Sequence, residues 1–113
     1  MAASKKWSVE LTHFGRKSGK PFKLSVWFVE IEGDLWVGTR DRDRNWVKNL
    51  RSTGRAELDF GDGPASYRCI EGSGDELTRF ENAILAKHPI GARIINFMAR
   101  GKEPSCFRLV PAE

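Results

Sequence analysis

Gly15-Arg16-Lys17-Ser18-Gly19-Lys20-Pro21 sets three cations among two glycines and a proline. Before it, residues 7–13 (Trp-Ser-Val-Glu-Leu-Thr-His) alternate apolar and polar side chains. After it, Phe22, Leu24, Val26 and Phe28 fall on one face of a second alternating run, with Trp27 and Val29 on the other. A period of two marks a strand, so the stretch joins two strands, the second of them covered on both sides. Glycine lets the backbone turn sharply and come close to a ligand. Turn amides, with Arg and Lys side chains, can bind phosphate oxygens. The same residues also suit a basic, solvated hairpin loop, because Lys and Arg are usually surface residues. Taken alone, the stretch leaves both readings open.

Downstream, Gly33-Asp34 predicts a tight hairpin turn and residues 35–39 a third strand. Residues 40–55 then carry six basic side chains against two acidic ones. Asp43 or Asn45 is placed to cap a short helix through Ser52. Trp46, Asn49 and Leu50 share one face of that helix. Trp46 and Leu50 read as packing residues. Asn49, with two donors and an acceptor, could fix the polar edge of a planar ligand. Residues 55–60 alternate cleanly, Gly61-Asp62-Gly63-Pro64 turns the chain, and residues 65–71 form a fifth strand with Tyr67 and Cys69 on one side. Ser73 to Glu76 has the spacing of a capping box. The helix that follows carries Leu77, Phe80, Ala83 and Ile84 inward. His88-Pro89 interrupts it. A second helical piece, with Ile90, Ile94, Phe97 and Met98 on one face, runs to Arg100 and ends at Gly101. Residues 105–110 close the chain as a last strand. Six short strands, a short helix and a C-terminal helix pair in one domain, residues 1–113, predict a small antiparallel split β-barrel.

Composition sets the outer bounds. The chain has 113 residues, 40% hydrophobic and 30% charged, with a net charge of +4 and a pI near 9.3. That suits a globular domain with a modest core and an anionic partner: a phosphorylated cofactor, nucleic acid or a membrane surface. Met1 to Lys6 lacks the apolar centre of a signal peptide, and no run reaches membrane-spanning length. A cytoplasmic protein without a membrane partner is therefore expected. Cys69 and Cys106 lack metal-ligand spacing and read as reduced, partly buried thiols. A metal site is not expected.

Three features in order resemble the deazaflavin-dependent nitroreductase family of the split β-barrel flavin and deazaflavin oxidoreductases. They are Leu11-Thr12 leading into Gly15-Arg16-Lys17-Ser18-Gly19, then Trp46-x-x-Asn49-Leu50, then an acidic helix start, a Lys87-x-Pro89 break and a terminal apolar strand ending Val110-Pro111. The resemblance runs from about residue 9 to the end. It implies coenzyme F-420 (8-hydroxy-5-deazaflavin) or, in related branches, FMN. Arg16 and Lys17, with the amides near Ser18 and Gly19, would hold the phosphate and acidic tail. Trp27, Thr39, Trp46 and Asn49 would lie near the ring or the phosphoribityl chain. Lys20 and Arg40 complete the cofactor-binding candidates. The chemistry implied is hydride transfer to a small electrophile such as a quinone, enone or nitro compound.

The chain departs from the family pattern in four places. Only six residues precede the first strand, so the helix that covers the reacting face in relatives is missing or comes from elsewhere, a homodimer partner being one source. Phe22 follows the cradle proline where many relatives have Arg. Arg40-Asp41-Arg42-Asp43 replaces small residues after the third strand, which bears on cofactor identity. His88 replaces a tyrosine before the helix-breaking proline and is the candidate proton donor. His88 also reads as an ordinary histidine at a helix end, and His13 as a strand residue at the rim of the cradle. Two other classes compete with a reductase. One is a non-catalytic binder of flavin, haem or a hydrophobic ligand. The other is a nucleic-acid binder, which the core-facing aromatic pattern disfavours.

Overall fold

The computed structural model describes residues 8–112. Trp7, expected to open the first strand, and the Met1–Lys6 segment lie outside the described residues. β1 (Ser8–Phe14) and β2 (Pro21–Ile31) form the expected hairpin around the basic stretch, with Leu11 opposite Leu24 and Phe14 opposite Pro21. There follow β3 (Asp34–Thr39), α1 (Asn45–Thr53), β4 (Arg55–Asp59), β5 (Pro64–Glu71), α2 (Asp75–Lys87), α3 (Pro89–Met98) and β6 (Ser105–Pro111). The strands close into an antiparallel barrel in the order β1-β2-β3-β6-β5-β4. β4 seals it by pairing with β1, Leu58 against Leu11. β6 slots between β3 and β5.

The alternating pattern explains the barrel's filling. Val9, Leu11, Val26, Phe28, Val37, Leu58, Phe107 and Leu109 form one buried cluster, and α1 adds Trp46, Val47 and Leu50 to it. The opposite faces of β2, β3 and β6 supply Val29, Trp36 and Cys106 to a second cluster, completed by Phe80 of α2 with Leu77, Ala83 and Ile84 against it. A Cβ at Gly38 would lie 2.7 Å from the Phe80 ring, so the bare glycine on β3 is what lets α2 lie against the sheet. Burying one such phenylalanine contributes about 1.5–3 kcal/mol.

Local details differ from the expectations. The β2–β3 turn is centred on Glu32-Gly33, one residue earlier than Gly33-Asp34. Both turn residues have positive φ, 53° and 86°, the combination that a two-residue turn of the primed type requires. α1 begins after Arg44 with no side-chain cap. Neither Asp43 nor Asn45 caps it, since Arg44 holds the N-cap position; the Asp43 amide donates to Asp41 Oδ1 at 3.1 Å. α2 begins after Gly74, not Ser73. Only half of the capping box forms, the Ser73 amide donating to Glu76 Oε1 at 3.4 Å, since the chain bends at Gly74 (φ 58°). α3 ends at Met98, two residues early. Its apolar stripe exists, but only Ala92 of this helix is buried.

Candidate cofactor site

Two neighbouring cavities flank Trp46. The first, of about 640 Å³, is lined by His13, Arg16, Lys17, Ser18, Phe22, Arg44, Asn49 and their neighbours. The β1–β2 connection forms its basic rim. The turn folds on itself: the Gly15 amide donates to Lys20 O at 2.9 Å, and the Gly19 amide to Gly15 O at 3.0 Å. Gly19 supports this with φ 73°, a conformation that suits glycine. The Lys20 amide donates to Ser18 Oγ at 3.2 Å. The Gly19 amide, expected to face an anion, is thus spent inside the turn. Among the described residues, the amides of Arg16, Lys17 and Ser18 take no backbone acceptor. Gly19 and Lys20, expected among the ligand residues, lie outside the cavity lining.

Behind the rim lies a hydrogen-bonded chain that crosses from strand to helix. Arg16 Nη1 donates to Asn49 Oδ1 at 2.9 Å, and Asn49 Nδ2 meets His13 Nδ1 at 2.8 Å. An amide nitrogen only donates, so His13 Nδ1 accepts and its proton sits on Nε2. Burial pushes the His13 pKa below its ordinary value, which agrees with a neutral ring in a site that disfavours charge. His13 also stacks on Phe22, centroids 5.5 Å apart. His13 and Asn49 are 7% and 5% exposed. α1 therefore presents Asn49 to the cradle while Trp46 and Leu50, on the same face, hold the helix in the core.

The second cavity, of about 260 Å³, is mostly apolar. Trp27, Thr39, Arg40 and Trp46 line it, with Phe80 and Ile84 of α2 and Ala92 and Ile95 of α3. Leu24, Arg44 and Trp46 border both cavities. Together the two have the size of a small-molecule site, roughly 300–1,000 Å³. Arg40 forms an ion pair with Glu81 of α2, and its Nε is buried with no hydrogen-bond partner among the described residues. The Thr39 hydroxyl accepts from the Asp41 amide at 3.2 Å.

His88 is placed elsewhere. It is 2% exposed and stacks against Trp27, centroids 4.1 Å apart and planes 14° from parallel. It does not reach the lining of either cavity, because it joins α2 to α3 behind the Trp27 ring. His88, the expected proton donor, is here packed as a support for the Trp27 ring. On the same ring, a Cβ at Gly91 would come within 2.8 Å of Trp27. Only a glycine lets the first turn of α3 approach so closely.

The remaining chemistry is quiet. Cys69 and Cys106 are free thiols, both pushed up to about 12 by burial, too high for a thiolate near neutral pH. Among the described residues no group of His, Cys, Asp and Glu could hold a metal ion, and no helix is long and apolar enough to cross a membrane. The sequence pointed to Arg16, Lys17, Ser18, Trp46 and Asn49 around one cavity and to Trp27, Thr39, Arg40 and Trp46 around the other. It missed Arg44 and the His13–Asn49 pair. Arg44 was visible as the cation two residues before Trp46, whereas His13 and Asn49 lie 36 residues apart.

The family model described as F420H(2)-dependent quinone reductase matches residues 3–93. The chain belongs to that family. The quinone reductase match takes in the cradle, α1 and α2, and the family is one of oxidoreductase enzymes. No curated protein matches the sequence. Among solved structures, an F420-H2 dependent reductase (FDR-A) is similar at 19% identity, covering 92% of this chain and 94% of that one, with a TM-score of 0.74. The haem storage protein HutZ of Vibrio cholerae is similar at 13% identity, covering 96% and 84%, with a TM-score of 0.75. A protein described as a domain-swapped dimer is similar at 19% identity, covering 92% and 80%, with a TM-score of 0.75. These likenesses show that the quinone reductase family member has the split-barrel fold.

Proposed function

We propose that this protein is a deazaflavin-dependent reductase that passes a hydride from reduced coenzyme F-420 to a quinone. The observation that supports it most is the common wall of the two cavities at Leu24, Arg44 and Trp46. A cationic cavity continuous with an apolar one suits one molecule with an anionic tail and a planar ring. Arg16, Lys17 and Arg44 would hold the tail by charge-assisted bonds, and Asn49 would orient Arg16. Trp27 and Trp46 would bracket the ring, with His88 stiffening Trp27 from behind. The group supplies, when bound, a hydride that together with one proton converts a quinone to its hydroquinone. Arg40, cationic at an apolar cavity, would stabilise the oxygen on which negative charge develops. Phe80 and Ile84 would exclude water from that face.

A second reading, a haem or flavin carrier, draws on the likeness to a haem storage protein. His13 is the described histidine that lines a cavity and would be the residue that holds the haem iron. One titration separates the readings. The protein is mixed with coenzyme F-420, FMN, FAD or haem, and binding is followed by fluorescence or absorbance. The deazaflavin should bind most tightly, and Arg16→Ala with Lys17→Ala should weaken it by about 1.5–3 kcal/mol for each charge-assisted bond removed. Binding of haem alone, abolished in His13→Ala, would replace the reductase reading with the carrier. FMN preference would move the protein to flavin chemistry. Turnover with a water-soluble benzoquinone then tests the substrate class.

A further inference from the structure

α3 lines the apolar cavity with Ala92, Ile95 and Asn96, yet most of its apolar surface faces outward. Ile90, Ile94, Phe97 and Met98 are 76%, 55%, 65% and 76% exposed. At 100° per residue they fall within one arc of about 100°, opposite the buried Ala92. Contiguous exposure of four large apolar side chains marks an interaction surface. Arg93, exposed, flanks this arc on one side, and Arg100, exposed and just past the end of α3, lies over the Phe97 ring at 4.6 Å.

The charge pattern points to the occupant. From Pro89 to Lys102 the chain carries three cations and no acid. A second copy docking by two-fold symmetry would set Arg93 and Arg100 near their own counterparts with no carboxylate on the stretch to answer them. The segment Met1–Trp7 is no better suited. It holds two lysines and only two large apolar residues, Met1 and Trp7, and would add positive charge. An apolar stripe beside arginines is the pattern of a helix that lies in a bilayer interface and meets anionic headgroups.

We propose that α3 is a membrane-surface helix, docking the barrel on anionic lipid bilayers through Ile90, Ile94, Phe97 and Met98 with Arg93 and Arg100 on the headgroups. The helix is too short to span a bilayer, but docking at the interface requires no spanning segment. One consequence rests on the reductase reading. Ile95 sits between the outer stripe and the cavity, so a lipid-dissolved quinone would pass from the bilayer into the apolar cavity along α3.

The test is co-sedimentation of the full chain, without cofactor, with vesicles of phosphatidylcholine alone or mixed with phosphatidylglycerol. The protein should pellet with the mixed vesicles and bind them roughly tenfold or more tightly than neutral ones, with added salt weakening the binding. Ile94→Glu with Phe97→Glu should abolish pelleting. Arg93→Gln with Arg100→Gln should weaken it by roughly tenfold or more. Ile90→Ser with Met98→Ser serves as a milder apolar pair. Thermal melts of all variants should match the parent. No pelleting at low salt, or pelleting unchanged by both apolar pairs, would overturn the proposal. So would a dimer in sedimentation velocity that Ile94→Glu dissociates, which would assign the face to a second copy. Vesicle binding is read without cofactor and turnover with a soluble quinone, so either idea can fail alone.

Discussion

α1 and α3 are both short amphipathic helices, and the barrel treats them in opposite ways. α1 buries Trp46, Val47, Asn49 and Leu50, and its apolar stripe becomes part of the core. α3 buries Ala92, and its stripe faces outward. Periodicity tells which side of a helix is apolar. It does not tell what that side meets. The difference lies in the attachments. α1 is bound by its own side chains to two strands and the core: Asn49 to His13 on β1, Arg51 to Glu71 on β5, and Leu50 in the barrel cluster. α3 rests on the outer layer, held at its start by Gly91 and His88 against Trp27.

The contrast can be broken or sharpened by substitution. Leu50→Ala should have the largest effect, destabilising the protein by about 2–5 kcal/mol in urea unfolding, because it opens a cavity in a fully buried site. Asn49→Ala should cost about 1–3 kcal/mol, since it leaves Arg16 and His13 without their shared partner. In the same variant the His13 pKa, read by NMR titration, should rise toward 6.5. In the parent the depressed His13 value means that this residue's contribution is whole above its ordinary value of 6.5 and is lost as the pH falls through its lower native value.

A smaller effect is expected at Arg51, which holds Glu71 by two bonds at 2.8 and 2.7 Å. Ser105 Oγ donates a third at 2.8 Å. Each member of the ion pair is about one-third exposed, so solvent screening limits Arg51→Ala to about 1 kcal/mol. The Arg51 hydrogen bond depresses the Glu71 pKa. That stabilisation is present above the ordinary carboxylate range and is lost as the pH falls through the lower native value. Thermal melts of parent and Arg51→Ala should therefore converge in acid. Smallest of all, Met98→Ala or Ile94→Ala on α3 should stay within about 0.5 kcal/mol. A destabilisation comparable to Leu50→Ala would mean that the α3 stripe is buried in solution.

The fold was readable because its information is local. Most strands show a two-residue alternation, and every connection except Arg40–Arg44, between β3 and α1, carries glycine or proline where the chain turns. The family motif then named the cradle. Half of the site was readable for the same reason: Arg16 to Ser18 and Trp46 to Asn49 each fall in one short window. What escaped the sequence is set by packing between windows. The Asn49–His13 bond depends on how α1 crosses β1. The placement of His88 depends on which side of Trp27 the α2–α3 junction passes. The spent amide of Gly19 depends on the turn closing on itself. None of these leaves a periodic trace.

The closure of β4 onto β1 has a consequence for how the molecule meets others. A sheet with open margins can recruit a passing strand through its backbone, whatever the visitor's side chains. Among the described residues every strand of this barrel has a neighbour on both sides, which confines such margins to staggered strand ends, the longest being Pro21–Trp27 of β2, paired with β1 alone. Recognition is then written mainly in side chains, on loops and helix faces, where each substitution can change the choice of partner.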